Sequence, residues 1–263
     1  MTALIRLIGQ NCLSFCSYLG QLLLLAVDSF RSIFTAPIRW KLFMGQLLEV
    51  GYRSQLVILV TGGFTGAVFA AQTYFQFHRL GMDSAVGAVV SVSMFRELGP
   101  VLTGLMMAGR VGAAMSAEIG TMKVTEQIDA LRALGVYPVD YLVVPRVLAM
   151  MISMPLLVIE CVGLGILAGY FVAVVLLDVQ GAYFLDYMLK FTGSRDLKMA
   201  LTKGVVFSLI IVFVSCHQGL NAKEGAVGVG RAPTEAVVIG SLSILIINFF
   251  LSLILNAIFP AGI

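Results

Sequence analysis

Residues 56–77, LVILVTGGFTGAVFAAQTYFQF, contain no Asp, Glu, Lys or Arg. About 20 apolar residues are enough to cross a bilayer as a helix. At 22 residues this run is long enough to be the first clear span. Similar runs recur along the chain. Only 12% of its 263 residues are charged, 59% are hydrophobic, and the mean hydropathy is +0.99. Soluble domains carry about 25% charged residues. The composition therefore predicts one membrane domain and no soluble one. The net charge of +3 is small and dispersed, and it argues against nucleic acid as a partner.

The fold class that follows is an all-α integral membrane protein. Five transmembrane helices are expected at 56–77, 85–109, 147–177, 204–217 and 235–259. Residues 1–54 read as an interfacial region. Their apolar stretch is interrupted by Asn11, Ser14, Ser17 and Gln21 and closed by Asp28 and Arg31, and no small-x-small cleavage site follows it. Arg39, Trp40 and Lys41 form an interfacial anchor after Pro37. With the N-terminus inside, eleven Lys and Arg fall in inside segments and five in outside segments, with Arg96 in a span. This bias puts the 110–146 segment in the cytoplasm and the C-terminus outside.

Two features break the apolar pattern. The first is Arg96–Glu97, set mid-span and followed by Gly99–Pro100. Charges at mid-bilayer are expensive, and they mark helix-holding pairs or substrate paths. Adjacent residues on a helix do not face each other, so each needs its own partner. An Arg fork suits a phosphate group. Glu160, Lys203, Glu235 and Asn248 are the other polar groups within or bordering spans. The second feature is the segment 116–135, read as one helix with Ser116 as its N-cap. Ile119, Met122, Ile128 and Leu131 form an apolar stripe, with Glu118, Lys123, Glu126 and Asp129 off it. The segment is nearly charge-balanced, which favours a protein partner over lipid headgroups.

Catalytic chemistry finds no foothold. There is no Gly-x4-Gly-Lys-Ser/Thr loop, and Gly225–Arg231 reads as a flexible link within a 218–233 loop. The histidines are His78 and His217 alone, and the four cysteines sit in apolar contexts. No cofactor is expected on this chain. An ion-coupled transporter using Arg96, Glu97 and Glu160 is the alternative reading of the spans.

FRELGPVLTGLMMAGRVGAAMSAEIGTMKVTEQIDALRALGV, from Phe95 to Val136, resembles the MlaE/YrbE family almost continuously, and RVLAMMISMPLL and the final span extend the likeness. DALRALG also echoes the loop by which ABC importer permeases dock on their ATPases. The family comprises permeases of Mla-type ABC transporters, which move phospholipids between the inner and outer membranes of Gram-negative bacteria and maintain outer-membrane lipid asymmetry. The resemblance implies a homodimer in the inner membrane. A cytoplasmic ABC ATPase, carrying the ATP and Mg, would dock under each 116–135 helix through Glu118, Met122, Glu126, Ile128, Asp129 and Leu131. A hexameric MCE-domain lipid-binding protein would sit on the periplasmic side, and a small accessory protein in the cytoplasm. By motif position Arg96, Glu97 and Lys203 would line the phospholipid cavity, joined by Glu235 and Asn248 from the last span.

Overall fold

The computed structural model describes residues 2–35, 37, 39–223 and 225–259, and among these the chain is helical without strands. Helix α1 (Thr2–Thr35) leads to the short α2 (Trp40–Val50) and then to α3 (Gln55–His78). A long rod follows, built from α4 (Val86–Ser93), α5 (Gly99–Met107) and α6 (Ala113–Val124). The short α7 (Gln127–Ala133) precedes α8 (Val144–Phe171), and α9 (Gly181–Phe191) precedes α10 (Ser194–Leu220) and α11 (Ala226–Ile258). Six helical stretches are long and apolar enough to cross a membrane: the five expected regions, and Cys12–Thr35 within α1.

The rod is continuous because its segments join through wide turns in which N–H groups bond five residues back, at Met94–Leu98 and Ala108–Gly112. Such π-turns insert a residue without breaking the helix. Three boundaries differ from the sequence reading. The expected 116–135 helix is two pieces: α6 completes the rod, and the chain breaks at Glu126, whose φ of 60° is left-handed, before α7. Ser116 is thus no cap. It lies mid-helix and is fully buried. The helix that carries the 204–217 run extends over Ser194–Leu220, which places Lys203 inside the helix rather than at its head. The 218–233 loop is mostly helix; Glu224 lies outside the described residues, and α11 already begins at Ala226. Gly228 suits that start because any Cβ there would collide with the Lys223 carbonyl.

Helix α10 occupies the centre. Of its most apolar stretch 67% is buried, against 11% for α11, whose Leu242, Ile246, Phe249 and Phe250 face outward. Polar ties hold α1 to the bundle: Gln21 Oε1 lies 3.0 Å from His217 Nε2, and the Tyr18 ring packs edge-on to the His217 ring. The α3–α8 seam runs on small residues, with Gly62 against Cys161 and Gly66 against Gly165. This is how membrane helices approach closely without a hydrophobic driving force.

A Cβ on Gly66 would overlap the Gly165 backbone, whereas one on neighbouring Gly63 would meet only the Leu164 side chain, at 3.5 Å. Gly66→Ala is therefore expected to cost about 1–3 kcal/mol, as overpacking does, and Gly63→Ala little. Thermal unfolding of the two variants in detergent checks the contrast.

Candidate functional site

The site begins with a missing hydrogen. Pro100 has no N–H, so the carbonyl of Arg96, four residues back, loses its usual helical donor. The preceding backbone already runs wide, with Gly99 N–H donating to the Met94 carbonyl. The Arg96 carbonyl instead accepts from the Lys203 ammonium of α10 at 2.5 Å. Lys203 is fully buried. It spends its other two donors on Ser252 Oγ of α11 at 2.8 Å and on Glu97 Oε2 at 2.9 Å. An ammonium has three donors, and here the rod supplies two of the acceptors and α11 the third.

Glu97 is held from α11 as well. Asn248 Nδ2 donates to its Oε2 at 2.9 Å, and the Ser252 hydroxyl donates to Oε1 at 2.8 Å. Arg96, turned away from Glu97, pairs with buried Asp196 of α10, its Nε 2.5 Å from Oδ1. The other oxygen of Asp196 accepts from the Gly193 N–H at 3.0 Å and caps the start of α10. One layer nearer the chain's α9 end, Arg195 donates to Asn256 Oδ1 at 3.0 Å. The exposed atoms belong to Glu97, 44% exposed, and Arg96, 29%, while Lys203 is sealed. A ligand meeting the site would touch a carboxylate and a guanidinium.

Arg96, Glu97, Lys203 and Asn248 thus come together as one cluster. Glu235 does not join it. It lies 13 residues before Asn248 on α11, about 20 Å away at 1.5 Å per residue. It lines instead a small pocket with Gln218, Lys223 and Arg231 at the opposite end of the bundle. Asp196, Ser252, Asn256 and Arg195 escaped the sequence reading. A signal existed for two of them: Ser252 and Asn256 repeat the Asn248 face at four-residue spacing in an otherwise apolar helix. Glu160 sits apart, on the α3 side of α8, where Gln55 Nε2 donates to its Oε1 at 3.3 Å.

At the end of the molecule opposite α9, the 116–135 residues divide. Ile119 and Ile128 are fully buried, and Met122 and Leu131 pack on the same core. Ile119 and Ile128 of the apolar stripe therefore face the chain's own interior. Glu118 pairs with the buried Arg146 of α8 at 2.7 Å, linking the rod to α8. Arg110, in the second wide turn, bonds Ser54 and lies 3.8 Å from Glu49, linking the rod to α2. The outward face of the tip carries Glu126, Asp129, Ala130 and Leu134, with Leu134 78% exposed. Tyr137 beside it bonds Asp28 of α1 at 3.4 Å. Partial burial, and secondarily that carboxylate, raise its pKa.

Long apolar helices around an internal charge cluster define a multi-pass α-helical membrane protein with a polar site between its spans. Residues 43–254 match the family model described as Permease MlaE. A probable ABC transporter permease of Rickettsia conorii is 43% identical over 93% of this chain and 95% of the relative. One from Synechocystis is 44% identical over 79% of each chain. The chloroplast protein TRIGALACTOSYLDIACYLGLYCEROL 1 of Arabidopsis thaliana is 37% identical over 84% of this chain and 63% of that protein. The chain belongs to the MlaE permease family, and it is the membrane permease subunit of an ABC transporter, a class that works with an ATPase.

Lys203→Met leaves Glu97 and the Arg96 carbonyl without their cation. A loss of about 2 kcal/mol or more is expected, since removing one partner of a buried pair strands the other. Adding Glu97→Gln restores part of it. A double-mutant cycle on unfolding in detergent checks this: simply additive losses would show that the two side chains are not coupled.

Proposed function

We propose that this chain is the permease of an ATP-driven transporter that moves phospholipids between the inner and outer membranes and so maintains outer-membrane lipid asymmetry. The observation that carries this reading is the cluster itself. A guanidinium and a carboxylate stand partly exposed within spans that are otherwise apolar, which suits a molecule with a charged head and hydrocarbon tails. The Arabidopsis relative bears the name of a galactolipid, which also points toward lipid.

The working unit in this reading is a homodimer in the inner membrane. The open apolar face of α11 packs on its copy, so that two clusters border one cavity. The tip around α7, with the N-terminus, is cytoplasmic, and it meets the ATPase, which alone holds ATP and Mg. The end with α9 and the C-terminus is periplasmic and faces the hexameric MCE-domain protein. A small accessory protein completes the cytoplasmic side. ATPase closure pushes on Glu126, Asp129, Ala130 and Leu134. The Glu118–Arg146 and Arg110–Glu49 links pass the movement to α8 and α2, and the rod carries it to Arg96 and Glu97.

Two separable defects are expected. Leu134→Asp loses the co-purifying ATPase while the bound lipid stays. Arg96→Gln keeps the ATPase but lowers bound phospholipid about tenfold, the equivalent of about 1.4 kcal/mol. Ile128→Asp makes a poor probe of docking, because that side chain is buried in its own core. Mass spectrometry of the purified complex and phosphorus assay of its lipid extract read both outcomes. A wild-type chain that reproducibly carries neither ATPase nor phospholipid would return the ion-coupled alternative.

A further inference from the structure

The cluster has a charge left over. Its cations are Arg96, Lys203 and Arg195, and its carboxylates are Glu97 and Asp196. Arg96 is matched by Asp196 and Lys203 by Glu97. Among the described residues, Arg195 has no carboxylate partner. Its terminal nitrogen donates to the neutral Asn256 amide of α11, and its Nε is shielded yet has no acceptor. That bond holds the guanidinium across the α10–α11 gap, at the end of the ladder Asn248, Ser252, Asn256. Lys198, one turn along α10 and exposed, adds positive charge at the same end.

We propose that Arg195 is a phosphate subsite: the guanidinium, steadied by Asn256, takes the phosphate anion of a lipid headgroup as it reaches the cluster. This rests on the phospholipid reading above. Two considerations favour an anion with phosphate geometry. The pairs below are already neutralised, so an arriving cation or neutral head gains nothing from the positive charge left at this end. A planar guanidinium with unused N–H groups also presents the fork that phosphate oxygens match. Free phosphate shares this chemistry, so the source must be separated by experiment.

The full complex, reconstituted in nanodiscs, is titrated with phosphatidylglycerol, with diacylglycerol of the same acyl chains, and separately with inorganic phosphate followed by phosphorus NMR. Wild type is expected to prefer phosphatidylglycerol over diacylglycerol by about tenfold, the size of one charge-assisted contact. Arg195→Gln should reduce that preference severalfold without changing diacylglycerol binding, and Arg195→Lys should restore part of the loss. Phosphate binding that depends on Arg195, without any lipid preference, would keep the subsite and assign it to the free anion. If neither ligand responds to Arg195→Gln in protein that still carries lipid and ATPase, the subsite is wrong and the transport reading stands. If wild type holds no phospholipid, the transport reading fails, and the phosphate titration still decides the subsite.

Discussion

Everything in the site hangs on the three bonds of the Lys203 ammonium. A lysine sealed inside an apolar bundle is tolerable only if every N–H finds an acceptor and the charge finds a counter-charge. The chain meets this demand with parts that would each be faults elsewhere. Pro100 deprives the helix of a donor, and this frees the Arg96 carbonyl. A wide turn spoils the regular ladder, and this lets the neighbouring Arg96 and Glu97 reach different partners on α10 and α11. Ser252 interrupts an apolar helix, and it both accepts from Lys203 and donates to Glu97. Three helices are fixed in register by one ammonium.

The same rod carries two unlike jobs. Glu97 and Glu118 are 21 residues apart, about 31 Å along a helix. One joins the charge cluster, and the other pairs with Arg146 near the tip. Between them the second wide turn places Arg110 against α2. Helices yield at such turns rather than along regular stretches. A push at the tip would therefore travel along α6, redistribute at Arg110, and reach the cluster through α5 and the turn beneath Arg96. The geometry puts its ionic links at those junctions and glycine at the tight seams.

Much of this was legible in the residues. The apolar runs announce the helices, and an Arg–Glu pair before Gly–Pro inside such a run announces a site. Lys203 and Asn248 follow because charges in lipid need company. What failed was geometry. Glu235 and Asn248 look alike in a list of polar residues, yet 13 positions at about 100° each put them on different faces as well as far apart. Arg195 and Asp196 lie in a stretch polar enough to pass for surface, and only the capping bond from Gly193 to Asp196 reveals that a buried helix begins there. The stripe Ile119, Met122, Ile128 and Leu131 was correctly apolar, but periodicity cannot say whether a stripe faces a partner or its own core. The left-handed break at Glu126 has no glycine to signal it.

The distribution of exposure assigns the roles. Lys203 is sealed, with all donors spent, and it fixes the frame. Asp196 is equally buried and does the same for Arg96 and the start of α10. What remains open is one face of Glu97 and one of Arg96, with Arg195 above them. Helix α11 lines this opening with Asn248, Ser252 and Asn256, and it turns Phe249, Phe250 and Leu253 outward. A single helix thus forms a wall of the polar site and the apolar exterior at once. Any contact that shifts α11 must stretch the Ser252 and Asn248 bonds to Glu97, so the state of the outer face and the grip on the carboxylate cannot vary independently.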